Sequence, residues 1–136
     1  MLAIFQLFYV SGASAPCDAA TIQSILQIAR RNNRRLDITG CLLYGGHNFA
    51  QVLEGDRSAV LALYRRIAAD PRHGEVKVMM ERQRAEREYG EWSMGYLHNQ
   101  DFAGELEALM LDDGRDPRVI ADLIARMRPD TVMGSL

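Results

Sequence analysis

A ferredoxin-like α/β sandwich is predicted by three observations on this 136-residue chain. Apolar segments of strand length alternate with segments of helical periodicity, in the order strand, helix, strand, strand, helix, strand, strand. Two strand–helix–strand units share a central hairpin. Each helical segment carries an apolar stripe to lay on the sheet, and two crossovers that share a hairpin place both helices on one sheet face. The expected architecture is a five-stranded mixed sheet with two helices on one face and a C-terminal helical pair. The right-handed crossover rule is expected to set the first and third strands side by side and parallel in the middle.

The first apolar run, about residues 2–10, ends at Ser11-Gly12-Ala13-Ser14-Ala15-Pro16, a loop by composition. Asp18 is a candidate N-cap, after which Ile22, Ile25, Leu26, Ile28 and Ala29 recur at helical spacing to about Asn33. The segment from Ile38 to Tyr44 meets the one from Phe49 to Leu53 across Gly45-Gly46-His47-Asn48, the signature of a hairpin. Asp56 or Ser58 opens a second helix, with Val60, Leu61, Leu63, Tyr64, Ile67 and Ala68 on its apolar side. Proline cannot continue a helix, so this one stops at Asp70-Pro71. Val76 to Met80 and Trp92 to Leu97 read as the last two strands. The tail offers short amphipathic helices at Leu106-Leu109-Met110 and at Val119-Ile120-Leu123-Ile124-Met127. Helices on one face leave the other uncovered, so the tail is expected to pack there or in an oligomer interface.

Composition bounds the class. Apolar residues make up 48% and charged residues 25%, which is globular usage and excludes disorder. Surface scaling gives roughly two-thirds of the chain's surface buried on folding, enough for a core without disulfides or structural metal. The net charge of −2 suggests neither a nucleic-acid partner nor an acidic solvating tail. No apolar run approaches the ~20 residues of a membrane span. Two cysteines, Cys17 and Cys41, fit a reducing cytosol. The apolar opening from Met1 to Val10 is similar to a secretory signal but has no basic residue before Arg30 and is interrupted by Gln6, so it reads as a buried strand.

Polar residues fall where core is expected. Alternation puts Leu7, Tyr9 and Ser11 on one face of the first strand and Phe49, Gln51 and Leu53 on one face of the third. If these faces meet the helices, a phenol and a carboxamide lie together in the core. A buried amide without partners costs about 1–3 kcal/mol per unsatisfied group, so Gln51 needs hydrogen-bonding company. The first helix continues its apolar stripe into Asn32 and Asn33. They serve either as helix-end caps or as amides aimed into a slot between the helices, where they can read the edge of a flat heterocycle.

Tyr9-Val10-Ser11, Arg31-Asn32-Asn33, Ile38-Thr39-Gly40 with Leu42-Leu43-Tyr44, Phe49-Ala50-Gln51-Val52-Leu53-Glu54-Gly55, Asp70-Pro71-Arg72-His73 and Trp92-Ser93-Met94 together resemble the BLUF family of blue-light sensors using flavin. The resemblance covers residues 2–97 in order and spacing. It departs at Ala29, where many members have Ser, and at Gly12. It implies a flavin-binding domain over residues 1–97 and an amphipathic helical extension over 98–136 without a recognisable effector. It also implies FAD held noncovalently between the two helices, with FMN or riboflavin as alternatives that share the ring. Carried over by position, Gln51 bridges the flavin and Tyr9, and Asn33, helped by Asn32, holds the pyrimidine edge. Ile25 contacts a ring face, while Arg66, Asp70, Arg72 and His73 lie at the rim. Light is expected to draw an electron from Tyr9, with a proton following through Gln51. The amide then returns rearranged and red-shifts the flavin. Trp92 or Met94, on one face of the last strand with Tyr96, is expected beside Gln51 as transmitter to the tail.

No Ser-His-Asp, Cys-His, paired-carboxylate or metal-ligand spacing emerges, so no enzyme activity is expected. A flavin-dependent oxidoreductase needs an opening that Gln51 and Tyr9 fill, and an acylphosphatase-like hydrolase needs an arginine that the 11–16 loop lacks. A cofactor-free interaction module is the remaining alternative. The expected setting is cytoplasmic, with a downstream protein partner, homo-oligomerisation, and no direct contact with nucleic acid or membrane.

Overall fold

The structure, a computed structural model, describes residues 3–13, 18–71, 73–111 and 116–128. Strand β1 (Ile4–Ala13) leads into helix α1 (Ala19–Leu36), then β2 (Thr39–Tyr44), β3 (Asn48–Gly55) and α2 (Arg57–Ala68). The chain continues through β4 (His73–Arg84), β5 (Gly95–His98), a 3-10 turn (Gln100–Phe102), α3 (Ala103–Leu111) and α4 (Pro117–Arg126). The sheet runs β4-β1-β3-β2-β5. This is the expected ferredoxin-like order, extended by a fifth strand parallel to β2.

One expectation is corrected. β1 and β3 are central neighbours, but they pair antiparallel, with Tyr9 opposite Gln51. Each helix crossover returns a strand parallel to the one before it, so β2 runs with β1. The hairpin then reverses the chain, and β3 slots between them antiparallel to both. The crossover rule fixes the relation of β1 to β2, not of β1 to β3.

Local chemistry sets the helix ends. Asp18 accepts from the Thr21 amide at 2.8 Å and Asp56 from the Ala59 amide at 3.3 Å, satisfying first-turn donors as N-caps. Helix α1 runs past Asn33 to Leu36 and ends on Asp37 in the left-handed conformation, φ 55°. Asn32 and Asn33 therefore sit inside the helix, which overturns the reading of them as caps and leaves their side chains for another task. Strand β4 is longer than expected, while β5 begins at Gly95. Trp92 and Met94 thus precede the last strand rather than share a face of it.

The sheet separates two cores. Phe5, Leu7, Tyr9, Leu42, Phe49 and Leu53 face α1 and α2, meeting Ile22, Leu26, Val60 and Leu63. Phe8, Val10, Cys41, Leu43, Ala50 and Val52 face the other way and are covered by Leu106, Ile120, Leu123, Ile124 and Met127. The tail helices cover the second sheet face, as one of the two expected placements had it. Val119, expected in the apolar stripe of α4, is instead exposed.

Candidate functional site

Between α1 and α2 lies a cavity of about 190 Å³ whose floor is the centre of the sheet. From β1 and β3 come Tyr9, Phe49 and Gln51; from α1 come Ile25, Ala29, Asn32 and Asn33; from α2 come Leu63, Arg66 and Ile67, with Asp70 just beyond. Antiparallel pairing makes Tyr9 and Gln51 direct cross-strand partners, so alternation brings both side chains to the helix-facing side. The Tyr9 hydroxyl donates a hydrogen bond to Gln51 Oε1. Gln51 Nε2 donates to Met94 Sδ at 3.3 Å. Phenol, amide and thioether form one buried chain, with Tyr9 and Met94 fully excluded from solvent.

Burial pushes the Tyr9 phenol well above the usual tyrosine range, with smaller upward contributions from Tyr64 and Asp70. The ring of Tyr64 stands edge-on to Tyr9 at 5.7 Å between centroids. Tyr9 is therefore a neutral hydrogen-bond donor at physiological pH. A deprotonated phenolate at rest is disfavoured by every neighbour that shifts it.

Asn33 is almost fully buried and donates through Nδ2 to the Ser93 carbonyl at 2.7 Å. Its Oδ1 is buried without a hydrogen-bond partner among the described residues. An orphaned acceptor of this kind costs about 1–3 kcal/mol unless something supplies a donor. It belongs to a residue that lines the cavity, which suits a planar ligand with a ring N–H on its edge.

The predicted site residues divide by place. Tyr9, Ile25, Asn32, Asn33, Gln51, Arg66 and Asp70 all line the cavity, with Arg66 exposed and Asp70 half-buried at the rim. Arg72 and the side chain of His73 lie outside the described residues. Of the two candidate neighbours of Gln51, Met94 takes the place. Trp92, the other alternative, is half-buried against the core on the opposite sheet face. The segment from Trp92 to Met94 is held by tertiary hydrogen bonds rather than by a strand ladder, a constraint invisible to alternation.

Sequence reasoning missed two contributors. Arg30 donates through Nε to the Met94 carbonyl at 2.9 Å. Gly40 donates its amide to the Trp92 carbonyl at 3.1 Å, and a Cβ there would strike the Val52 carbonyl and lie 3.4 Å from Met94 Cε. Only glycine leaves that space. The motif Ile38-Thr39-Gly40 held the signal for Gly40, whereas nothing in the spacing sets Arg30 apart from Arg31, Arg34 and Arg35.

A family model described as "BLUF: Sensors of blue-light using FAD" matches residues 4–95. The structure is similar to that titled "BlrB - a BLUF protein, dark state structure", with a TM-score of 0.76 and 36% identity over 89% of this chain and 92% of the other. A structure of "BlrP1 BLUF" gives a TM-score of 0.69 and 28% identity over 92% of each chain. Photoactivated adenylate cyclase subunit beta of Euglena longa is 39% identical over 89 residues, which are 65% of this chain and 10% of that protein. The blue light- and temperature-regulated antirepressor BluF of Escherichia coli (strain K12) is 36% identical over 84 residues, 59% of this chain and 21% of that protein. The chain thus spans about a tenth to a fifth of the length of these curated relatives.

Proposed function

We propose that this chain, which belongs to the BLUF family, is a blue-light photoreceptor in which Tyr9, Gln51 and Met94 act as the switch beneath a flavin held between α1 and α2. The observation that carries the reading is the position of Gln51. It is hydrogen-bonded to a phenol on one side and a thioether on the other, on the floor of a cavity that joins both helices to the sheet centre. The donor set fits the ring. A flavin presents an imide N–H between two carbonyls, and the orphaned Asn33 Oδ1 offers it a buried acceptor. Asn32 lines the same cavity as a second amide, and Ile25 supplies an apolar ring contact. Arg66 and Asp70, with Arg72 and His73 next in sequence, serve the ligand's polar rim. FAD is the proposed form, with FMN or riboflavin sharing the ring.

When bound and excited by blue light, the flavin supplies a transient one-electron oxidant that afterwards returns its electron. Tyr9, neutral and desolvated, gives up an electron together with its hydroxyl proton, which moves to Gln51 along their hydrogen bond. Oxidation without proton loss would leave an uncompensated cation in a low-dielectric core. Gln51 then rearranges its amide, by rotation or tautomerisation, while Tyr9 regains electron and proton. The new amide arrangement faces both the ligand and Met94. Met94 leads directly into β5 and the tail, so the change reaches residues 98–136, which we propose act as the helical output extension. The receiver is proposed to be a protein partner in the cytoplasm, with the chain acting as a homo-oligomer and without enzymatic chemistry of its own.

Absorption of the purified protein in darkness and under blue light tests this. The expected result is a flavin spectrum that shifts to longer wavelength and recovers in the dark. Reversible bleaching of the flavin bands would indicate redox turnover instead, and a colourless protein that takes up no FAD would leave an interaction module.

A further inference from the structure

We propose that Arg30 is a positioning residue that holds Met94 in place under Gln51, an inference that rests on the photoreceptor reading above. Three consecutive carbonyls of the segment entering β5 are each taken by a donor. The Gly40 amide takes that of Trp92 at 3.1 Å, Asn33 Nδ2 takes that of Ser93 at 2.7 Å, and Arg30 Nε takes that of Met94 at 2.9 Å. The last two donors lie three residues apart on α1, one turn of the helix, and so address successive peptides from one face.

The three ties are not equivalent. Gly40 belongs to the sheet and fixes the segment's edge. Asn33 is shared, because its other amide atom is the orphaned acceptor of the cavity. Arg30 is absent from the cavity lining, and its bond to Met94 is made outside it. A charge-assisted bond to a carbonyl beyond the end of the strand ladder sets where the Met94 side chain hangs. The sulfur then faces Gln51 Nε2, and Trp92, two residues earlier, is left on the far face. Without Arg30 the peptide is free to turn and the thioether to leave the amide.

The consequence concerns the switch rather than binding of the ligand. A Met94 held in register confines the Gln51 amide and slows its return after light. Arg30→Met keeps the aliphatic stem and removes the donor; Arg30→Lys keeps charge and donors. In flavin-loaded full-length protein, Arg30→Met is expected to retain flavin and the light-induced red shift while dark recovery quickens about fivefold, which corresponds to about 1 kcal/mol on the barrier. Arg30→Lys is expected to recover within about twofold of the wild-type rate. Fluorescence of Trp92, the chain's single tryptophan, reports the same change as altered emission in Arg30→Met. When Met94→Leu has already removed the sulfur, Arg30→Met is expected to add nothing to the recovery rate.

Recovery at the wild-type rate in Arg30→Met overturns the proposal, as does a full additional effect on top of Met94→Leu. An Arg30→Met protein that fails to hold flavin would make Arg30 a residue of the fold and also overturns it. A wild-type protein that binds flavin but shows no red shift overturns the photoreceptor reading itself, an outcome separate from the others.

Discussion

Tyr9, Cys41 and Tyr89 are three ionisable groups buried in a small domain, and burial moves all of them in one direction. The Cys41 thiol is pushed up to about 12, chiefly by desolvation, and both phenols are raised well above their ordinary range by the same cause. Raised values mean that the folded protein retains protons which the unfolded chain has already lost. Below about pH 7.5 all three groups are protonated in both states, and their contribution to stability is intact. Between about pH 8 and 12 the unfolded chain ionises first, the thiol before the phenols, and folding stability falls, by up to about 1.4 kcal/mol per pH unit for each group. Urea midpoints are therefore expected to hold steady from about pH 6 to 7.5 and to drop clearly above about pH 9. A midpoint that stays flat to pH 11 would show that these side chains are not desolvated as described.

At the scale of elements, the turn between β4 and β5 joins the two sides of the sheet. Glu54 is fully buried at the end of β3, three residues beyond Gln51, and every side of its carboxylate is met. It accepts from Gln6 Nε2 at 2.9 Å, Thr39 Oγ1 at 3.2 Å, and the amides of Glu88 and Tyr89 at 2.7 and 2.9 Å. Arg82 approaches through Gln6, and Arg87 bonds Thr39 and the Glu54 carbonyl, placing positive charge nearby. The anchored turn holds Tyr89, whose hydroxyl lies 3.0 and 3.1 Å from the carbonyls of Ile124 and Met127 at the end of α4. Phenylalanine at 89 would fill the same space and leave buried helix-end carbonyls without that donor, a loss of about 1–3 kcal/mol. Tyr89→Phe is thus expected to lower stability by that amount and to speed amide hydrogen exchange in α4 ahead of the central strands. Unchanged exchange in α4 would mean that the tail is held by apolar packing alone.

At the scale of the whole molecule, a five-stranded sheet separates the face that carries the cavity under α1 and α2 from the face covered by α3 and α4. How much of this was legible in the sequence follows from the range of each interaction. Alternation and helical periodicity are local, and they located the helix-facing core and the faces that carry Tyr9 and Gln51, while the second N-cap stayed open between Asp56 and Ser58 and the tail between the free sheet face and an oligomer interface. The direction of β3 relative to β1 and the place of Met94 depend on long-range pairing. Met94 rather than Trp92 lies at Gln51 because Gly40, Asn33 and Arg30 grip a segment with no ladder of its own. The Glu54 cluster was illegible for a related reason: a glutamate in a strand reads as solvated until its four donors, drawn from three parts of the chain, are assembled. No described helix is long and apolar enough to cross a membrane.

The measurement that bears most directly on the central claim is the light-minus-dark absorption spectrum of Gln51→Leu, recorded beside the wild type at equal flavin content. Leucine keeps the bulk on the cavity floor and removes both the acceptor for Tyr9 and the donor to Met94. The account predicts bound flavin with no reversible red shift. A full, reversible shift in that variant would contradict it, because the amide would then not be the switch.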